Sequence, residues 1–531
     1  MEAEEGARRE PAPARRLAWS TAIFAAATGV SRVLGLFREI VARRYFGVAG
    51  DINAFTVAFQ VPNLVRALAA DTALSSAFVP VFSEQLERGE RERAWRVAST
   101  LFWLVLIVLG AVTGLFILLA PWVMGLFGLP DPLHDLATDL SRILFPTVVL
   151  LGLSGIVVGI LNSYEEFSIP ALMPVLWNVV IILGLVIFVP RVDEHDQLYV
   201  YAWAILAGTV IQAVTPVFWL RGKDGRLRAV FDLRDPAIKR VFALMLPVTL
   251  GIGLINFNLV INTFFAARYI DPNLAPSSID AAFRIYMLPQ GMFSVAVATV
   301  LFPRLSRLAA RADTVGFREM VSLGLRQIGF LLLPASAVGA VLAVPITRLL
   351  YERGAFGAAE TQVVAEALAA FSLGLTFNGT MLMLNRAFFS LQSAWVPTAI
   401  ALGNLALNVA LNALLYRVGI WGIPLATSIV NIAGTGALLF VFRRRIGRVD
   451  GRRLADSYVR IAVASAITGG IAYLTWWGLD ALVGRSLGGQ VLSVGGAIAA
   501  SVVAFLVLSR LLRIRELQTL LSLRRGSART G

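Results

Sequence analysis

The sequence predicts an all-α polytopic membrane protein, and three observations carry that expectation. First, the 531 residues are 57% hydrophobic and only 15% charged, where soluble domains run near a quarter charged. Mean hydropathy is accordingly high, at +0.75. Second, the apolar residues gather in unbroken blocks, among them 101–128, 143–162, 175–190, 242–267, 328–350 and 488–512. At about 1.5 Å per helical residue such blocks reach across roughly 30 Å of hydrocarbon. They do not alternate apolar with polar as the strands of a membrane β-barrel do. Third, the basic residues fall on alternate loops.

Taken in order, the blocks define fourteen transmembrane spans. They lie at about 19–46, 53–80, 98–128, 139–162, 170–190, 198–220, 240–267, 279–303, 320–350, 360–391, 396–416, 420–442, 457–479 and 488–512. The amino-terminal stretch 1–18 is mixed in charge and Pro/Ala-rich, without the layout of a cleavable signal, and reads as a cytoplasmic tail. Residues 513–531 read as a basic cytoplasmic tail. With the amino terminus inside, the inner set of loops and tails holds roughly 31 basic residues and the outer set about 5, the asymmetry that orients membrane proteins. The net charge of +14 is therefore an orientation signal, and no nucleic-acid partner is expected.

The spans repeat. AFVPVFSEQLERGE (77–90) resembles VLFPRLSRLAARAD (300–313), and ILNSYEEFSIP (160–170) resembles MLNRAFFSLQSAWVP (383–397). The pairs Pro80/Pro303 and Asn162/Asn385 are offset by 223 residues, and Asn178/Asn404 by 226. A near-constant offset predicts a duplicated six-helix unit: an N-lobe at 19–222 with spans 1–6, a C-lobe at 223–445 with spans 7–12, and spans 13 and 14 added at 446–512. An even number of spans makes the repeat parallel, and two such lobes around a central cavity suit alternating access.

Several chemistries find no residues. There is no cysteine, and the two histidines, His134 and His195, fall in loop-like stretches. Neither of the two lysines, Lys223 and Lys239, sits in a phosphate-cradling loop, so nucleotide hydrolysis is not expected. No nucleophile–base pair or metal-ligand cluster emerges, and a non-enzymatic transporter is the reading.

The charges within spans that carry the reading are Arg32, Arg38, Glu39, Arg43 and Arg44 in span 1, Arg66 and Asp71 in span 2, Arg284 in span 8, and Arg386 in span 10. An arginine at mid-bilayer costs about 2.5–3.5 kcal/mol on insertion scales, so each needs a partner, water or a route to the interface. On a helical wheel Glu39 and Arg43 each fall within about 20° of Arg32, with Arg38 roughly 120° away. That geometry pairs Glu39 with Arg32 and makes Arg43 and Arg44 interface anchors. The arginines outnumber the carboxylates, so a cavity built from them draws an anion, and the guanidinium fork suits phosphate. The substrate class is a phosphate- or carboxylate-bearing molecule.

Three stretches, SRVLGLFREIVARRYFG (31–47), AFTVAFQVPNLVRALAADTALSSAFVPVFSE (54–84) and AFRIYMLPQGMFSVAVATVLFPRLS (282–306), together resemble the MurJ/MviN family of lipid II flippases, within the multidrug/oligosaccharidyl-lipid/polysaccharide exporter superfamily. LNRAFFSLQSAWVPTAIALGNLALNVALN (384–412) and GIWGIPLATS (419–428) are similar to it as well. The resemblance implies that lipid II, an undecaprenyl-diphosphate-linked disaccharide-pentapeptide, is carried from the inner to the outer leaflet of the bacterial cytoplasmic membrane. It implies substrate-binding roles for Arg32, Arg38, Arg66 and Arg284, with Glu39, Asp71, Arg386 and Asp51 in support. The family often carries Asp-Ala-Phe where this chain has Asn53-Ala54-Phe55, with Asp51 two residues earlier. Spans 13 and 14 would line a groove for the lipid tail, and cell-wall synthesis proteins would be further partners. No organic cofactor is implied. A sodium ion is implied for the C-lobe, where Asn408, Asn412 and Thr427 match but bring no carboxylate; asparagines at i and i+4 equally suit contacts between helices. The competing reading is a flippase for another polyprenyl-diphosphate-linked glycan, whose cavity would use the same physics.

Overall fold

The computed structural model describes residues 12–69, 71–393, 395–447 and 451–517, and among them the chain is helical, without a strand. The helices are α1 (Ala12–Phe46), α2 (Ile52–Ala69), α3 (Asp71–Glu87), α4 (Arg91–Gly125), α5 (Asp131–Leu144), α6 (Pro146–Ser163), α7 (Ser168–Ile187), α8 (Gln197–Phe218) and α9 (Pro236–Phe265). They continue with α10 (Ala275–Pro289), α11 (Val295–Ala310), α12 (Thr314–Val341), α13 (Ala343–Tyr351), α14 (Ala358–Ser390), α15 (Trp395–Leu415), α16 (Gly422–Arg445), α17 (Gly451–Val483) and α18 (Leu487–Leu511).

Among the described residues, 11 helical stretches are long and apolar enough to cross a membrane. They fall on the expected spans 3–6 and 8–14. The other three expected spans fall in α1, in α2 with α3, and in α9. Proline explains where some spans are subdivided: Pro146 opens α6 directly after Phe145, its missing N–H coinciding with a helix start that leaves that donor unused. Large apolar side chains such as Leu118, Trp122, Leu474, Trp477 and Val503 are exposed on these helices, as lipid-facing residues must be.

The repeat residues take matching helical places. Pro80 and Pro303 each lie seven residues before the end of their helices, α3 and α11. Asn178 lies ten residues into α7 and Asn404 nine residues into α15.

The described residues form two compact units. The first draws on Met1–Tyr45, Val57–Leu126 and Pro130–Asn256. In it α6 packs on α3, α4 and α8, and α7 packs on α8. Its core holds Phe78, Phe82, Trp95 and Ile160, with Phe82 edge-on to Trp95. The polar connection between α8 and α9 is pinned to the start of α4. Arg93 gives Asp235 two hydrogen bonds of 3.0 and 3.1 Å, the Arg228 N–H donates to Ser99, and Trp103 donates to the Arg228 carbonyl. The Arg93 guanidinium holds the Asp235 carboxyl below the usual carboxylate range.

The second unit draws on Phe46–Thr56, Phe127–Leu129 and Phe257–Gly531. Its central element is α14, which packs on α10, α11, α12, α13 and α16. The pair α17 and α18 lies against α12 and α13, with Leu342, Ala472 and Ala497 buried between them. Residues 513–517, expected as the start of a tail, are packed: Ile514 and Leu517 join Phe330, Ile461 and Phe505 in a buried cluster.

Candidate functional site

The charged face of α1 is arranged differently from its helical wheel. Arg38, Glu39 and Arg43 are 8%, 6% and 4% exposed, whereas Arg32 and Arg44 are exposed. Glu39 accepts a hydrogen bond of 2.7 Å from Arg38 through one oxygen and lies 4.0 Å from Arg43 through the other. The wheel expectation that Glu39 orients Arg32 is therefore corrected: a long arginine side chain bends back onto its chain neighbour, which Cβ directions do not show. Among the described residues Arg32 forms no ion pair. Arg43 is likewise inside the protein rather than an anchor at the interface, while exposed Arg44 keeps that reading.

Arg38 has a second partner that no local pattern reveals. Its guanidinium carbon lies 4.7 Å from the centroid of the Trp177 ring, on α7. A cation over an indole face gains about 0.5–2 kcal/mol, more as water is removed. Asn178 is buried beside it in sequence, and its Nδ2 donates to the Pro174 carbonyl while its Oδ1 has no partner. The Arg38 Nε–H is also buried without an acceptor. A buried guanidinium with one carboxylate, one ring and an unfilled donor retains capacity for an anionic oxygen.

The other expected site residues are held locally. Arg66 donates to Asn63 at 2.7 Å, one turn back on α2. Arg284 donates to Asp280 at 2.8 Å, one turn back on α10. Asp280 falls inside expected span 8 and escaped the sequence reading, although its i, i+4 spacing to Arg284 is a standard ion-pair signal. Arg386 lies over the Phe302 ring at 5.3 Å. Asp51 is exposed, and its contribution is a backbone carbonyl accepting from Ala54 and Phe55 at the start of α2. The Asp71 side chain lies outside the described residues.

Asn53 has a structural task. Gly47 and Gly50 turn the chain between α1 and α2 with φ of +61° and +72°, conformations that side chains disfavour. The Asn53 Nδ2 donates to the carbonyls of Val48, Gly50 and Asn273 at 2.9, 3.0 and 2.5 Å, and its Oδ1 accepts from the Ser277 N–H at 2.9 Å. An aspartate would bring an acceptor to three carbonyls. The neutral amide is what this turn requires.

Two further features of the second unit were hidden in the apolar runs. In the stretch PQGMFS, the helix widens into a π-turn at Gln290–Ser294, directly after Pro289. Such turns are rare and concentrate at functional sites. Gln290 donates to Asn378 at 2.5 Å, and Asn378 to Asn431 at 3.4 Å, so the π-turn is tied to α14 and α16.

The residues matched to a cation site form a ladder. Asn412 Nδ2 donates to Asn262 at 2.8 Å and to Asn408 at 2.9 Å, and Asn262 donates to Thr427 at 3.3 Å. Asn408 and Asn412 are fully buried. The carbonyl oxygens of Asn262 and Asn408 thus already accept amide hydrogens, the Asn412 Oδ1 and the Asn408 Nδ2 are buried without a hydrogen-bond partner, and the ladder contains no carboxylate. Asn262, on α9, had no sequence signal that joined it to this set.

A family model described as lipid II flippase MurJ matches residues 42–483. The matched stretch begins after Arg32 and Arg38 and includes Arg66 and Arg284. The chain is 32% identical to the lipid II flippase MurJ of Burkholderia cenocepacia, over 79% of this chain and 82% of that one. It is 30% identical to a probable lipid II flippase MurJ of Synechocystis, over 95% and 96% of the two chains. Among solved structures, it is similar to a lipid II flippase MurJ in an inward closed conformation, with a TM-score of 0.77, 24% identity and coverage of 92% of this chain and 99% of that one. It is also similar to an inward-facing multidrug resistance MATE family transporter of the MOP superfamily, with a TM-score of 0.69, 16% identity and coverage of 81% and 95%.

Proposed function

This chain belongs to the MurJ family of lipid II flippases, and we propose that it moves lipid II from the inner to the outer leaflet of the bacterial cytoplasmic membrane to feed peptidoglycan synthesis. It is a multi-pass helical membrane transporter. The family match does not favour a different polyprenyl-diphosphate-linked glycan as cargo.

The observation within the molecule that carries the reading is Arg38: a buried guanidinium, braced by Glu39 and Trp177, with a donor left for a phosphate oxygen. A diphosphate supplies closely spaced anionic oxygens, and charge-assisted hydrogen bonds to them are among the strong ones. Arg66 and Arg284, each steadied by a residue one turn earlier, would add to the same task, and Arg32 would meet the anion from an exposed position. Arg386, Asp51 and Asp71 would act in support at most.

In our reading the flipping step is alternating access around a central cavity, with α17 and α18 guiding the lipid tail. Both chain ends are cytoplasmic, as the loop asymmetry supports. No nucleotide is hydrolysed, since no phosphate-cradling lysine motif occurs in the sequence. The amide ladder at Asn262, Asn408, Asn412 and Thr427 joins helices in this reading: these four residues bring no carboxylate to offset a sodium ion, and the Asn412 Oδ1 is their one oxygen buried without a hydrogen-bond partner.

Complementation tests the reading. Arg38→Ala and Arg284→Ala are each expected to abolish growth of a flippase-depleted strain while the protein still accumulates in the membrane. Normal growth with both changes would refute the arginine assignment.

A further inference from the structure

Residues 219–235, between α8 and α9, lie outside the helices yet run along the start of a membrane-crossing one, α4. The Arg228 N–H donates to Ser99 at 3.0 Å, the Asp232 N–H to Thr100 at 3.2 Å, and the Trp103 indole to the Arg228 carbonyl at 2.9 Å. These partners stand three, four and seven residues past Arg96, the last charged side chain of α4. At about 1.5 Å per residue the segment rests roughly 5–10 Å beyond that charge, along an apolar run. We propose that residues 226–234 form an interfacial anchor that binds anionic phospholipids at the membrane surface. In the orientation proposed above, that surface is the cytoplasmic one.

The segment has two faces. Leu227 packs against the core of the first unit, and Asp235 is buried and bound by Arg93. Arg226, Arg228, Phe231, Leu233 and Arg234 are exposed, Phe231 at 51% and Leu233 at 48%. Among the described residues Arg226, Arg228 and Arg234 form no ion pair, and the one carboxylate between them, on Asp232, accepts from the Arg234 N–H. Water gives an exposed phenylalanine and leucine nothing to bury against. A bilayer surface takes such groups about 5–10 Å into its headgroup–acyl boundary and leaves the guanidiniums at the phosphates.

The backbone is prepared for that depth. Non-helical chain beside lipid needs its polar groups satisfied. The N–H groups of residues 228, 230, 232 and 234 are bonded in turn to Ser99, the Arg228 carbonyl, Thr100 and the Asp232 carboxylate. The outward face also continues a lipid-facing one. Ile107, one turn beyond Trp103 on α4, is exposed, as are Phe218 and Trp219 at the end of α8, and the Arg221 guanidinium lies over the Phe218 ring at 5.3 Å. Four arginines in one connection, at 221, 226, 228 and 234, attract anionic headgroups.

The chain has no cysteine, so one introduced thiol carries a unique label. Full-length protein with a nitrobenzoxadiazole fluorophore at Ala229→Cys is reconstituted in vesicles of equal shares phosphatidylglycerol and phosphatidylcholine, with a shallow spin label on one lipid or the other. Spin-labelled phosphatidylglycerol is expected to quench it roughly twofold or more above spin-labelled phosphatidylcholine. A fluorophore at Glu92→Cys, nearer the water on α4, should be quenched little by either. Arg226→Gln, Arg228→Gln and Arg234→Gln together should equalise the two lipids with the melting temperature unchanged, and Phe231→Ser with Leu233→Ser should lower quenching by both. Quenching at residue 229 no greater than at residue 92 would place the connection in water. A phosphatidylglycerol preference absent from the wild type, or persisting in the triple variant, would remove the arginines' role. Either result would overturn the proposal.

Discussion

Two buried polar clusters among the described residues are built from opposite materials. In the first unit, Arg38, Glu39 and Arg43 bring formal charge inside and balance two guanidiniums with one carboxylate, aided by the Trp177 ring. In the second, Asn262, Asn408, Asn412 and Thr427 bury only neutral groups, paired with one another. Neutral amides at this spacing serve to join helices, although the Asn408 Nδ2 and the Asn412 Oδ1 are left without a partner. Arg38 keeps a buried Nε–H without an acceptor, which the proposed function assigns to an anionic oxygen of the substrate. Under the proposed function, the difference separates a place where cargo charge is received from one where structure is held.

The largest expected effect breaks the charged cluster. Glu39→Gln leaves Arg38 and Arg43 buried without their carboxylate, and removing one partner of a buried ion pair costs about 3–5 kcal/mol. Membrane accumulation and thermal unfolding in detergent should both fall sharply; wild-type values would mean that Glu39 does not balance these arginines. A smaller loss is expected at Asn53→Asp, although the family often carries aspartate there. Replacing the donor opposite three carbonyls leaves polar groups unsatisfied, at about 1–3 kcal/mol. A melting temperature equal to wild type would contradict the cradle. The smallest effect sharpens the neutral side of the comparison: exchanging sodium for choline should leave melting temperature and complementing activity unchanged, and a sodium-dependent shift abolished by Asn412→Leu would make the ladder an ion site.

Legibility in the sequence followed the range of the interaction. The helices were readable because apolar runs of membrane length have few other solutions, and the expected repeat partners Pro80 and Pro303 each lie seven residues from the end of a helix. Short-range pairing was only partly read. Asp280 lay one turn from Arg284 but was masked by the apolar character of its span, and Glu39 was assigned to Arg32 because a wheel tracks Cβ directions and ignores the reach of arginine. Trp177 and Asn262 are 139 and 150 residues from their partners Arg38 and Asn412, and no periodicity can express such a contact. The Asn53 cradle likewise depends on residues 220 and 224 positions away, which is why a departure from the family pattern read as a lost charge rather than a gained donor.

The most direct measurement is the exposure of lipid II on the outer leaflet of cells whose own flippase has been depleted. Cells supplied with this protein should display precursor at the normal rate, and cells supplied with Arg38→Ala, at equal membrane abundance, should hold it on the inner leaflet. Precursor appearing at the normal rate with Arg38→Ala, or failing to appear with the wild-type protein, would contradict the account.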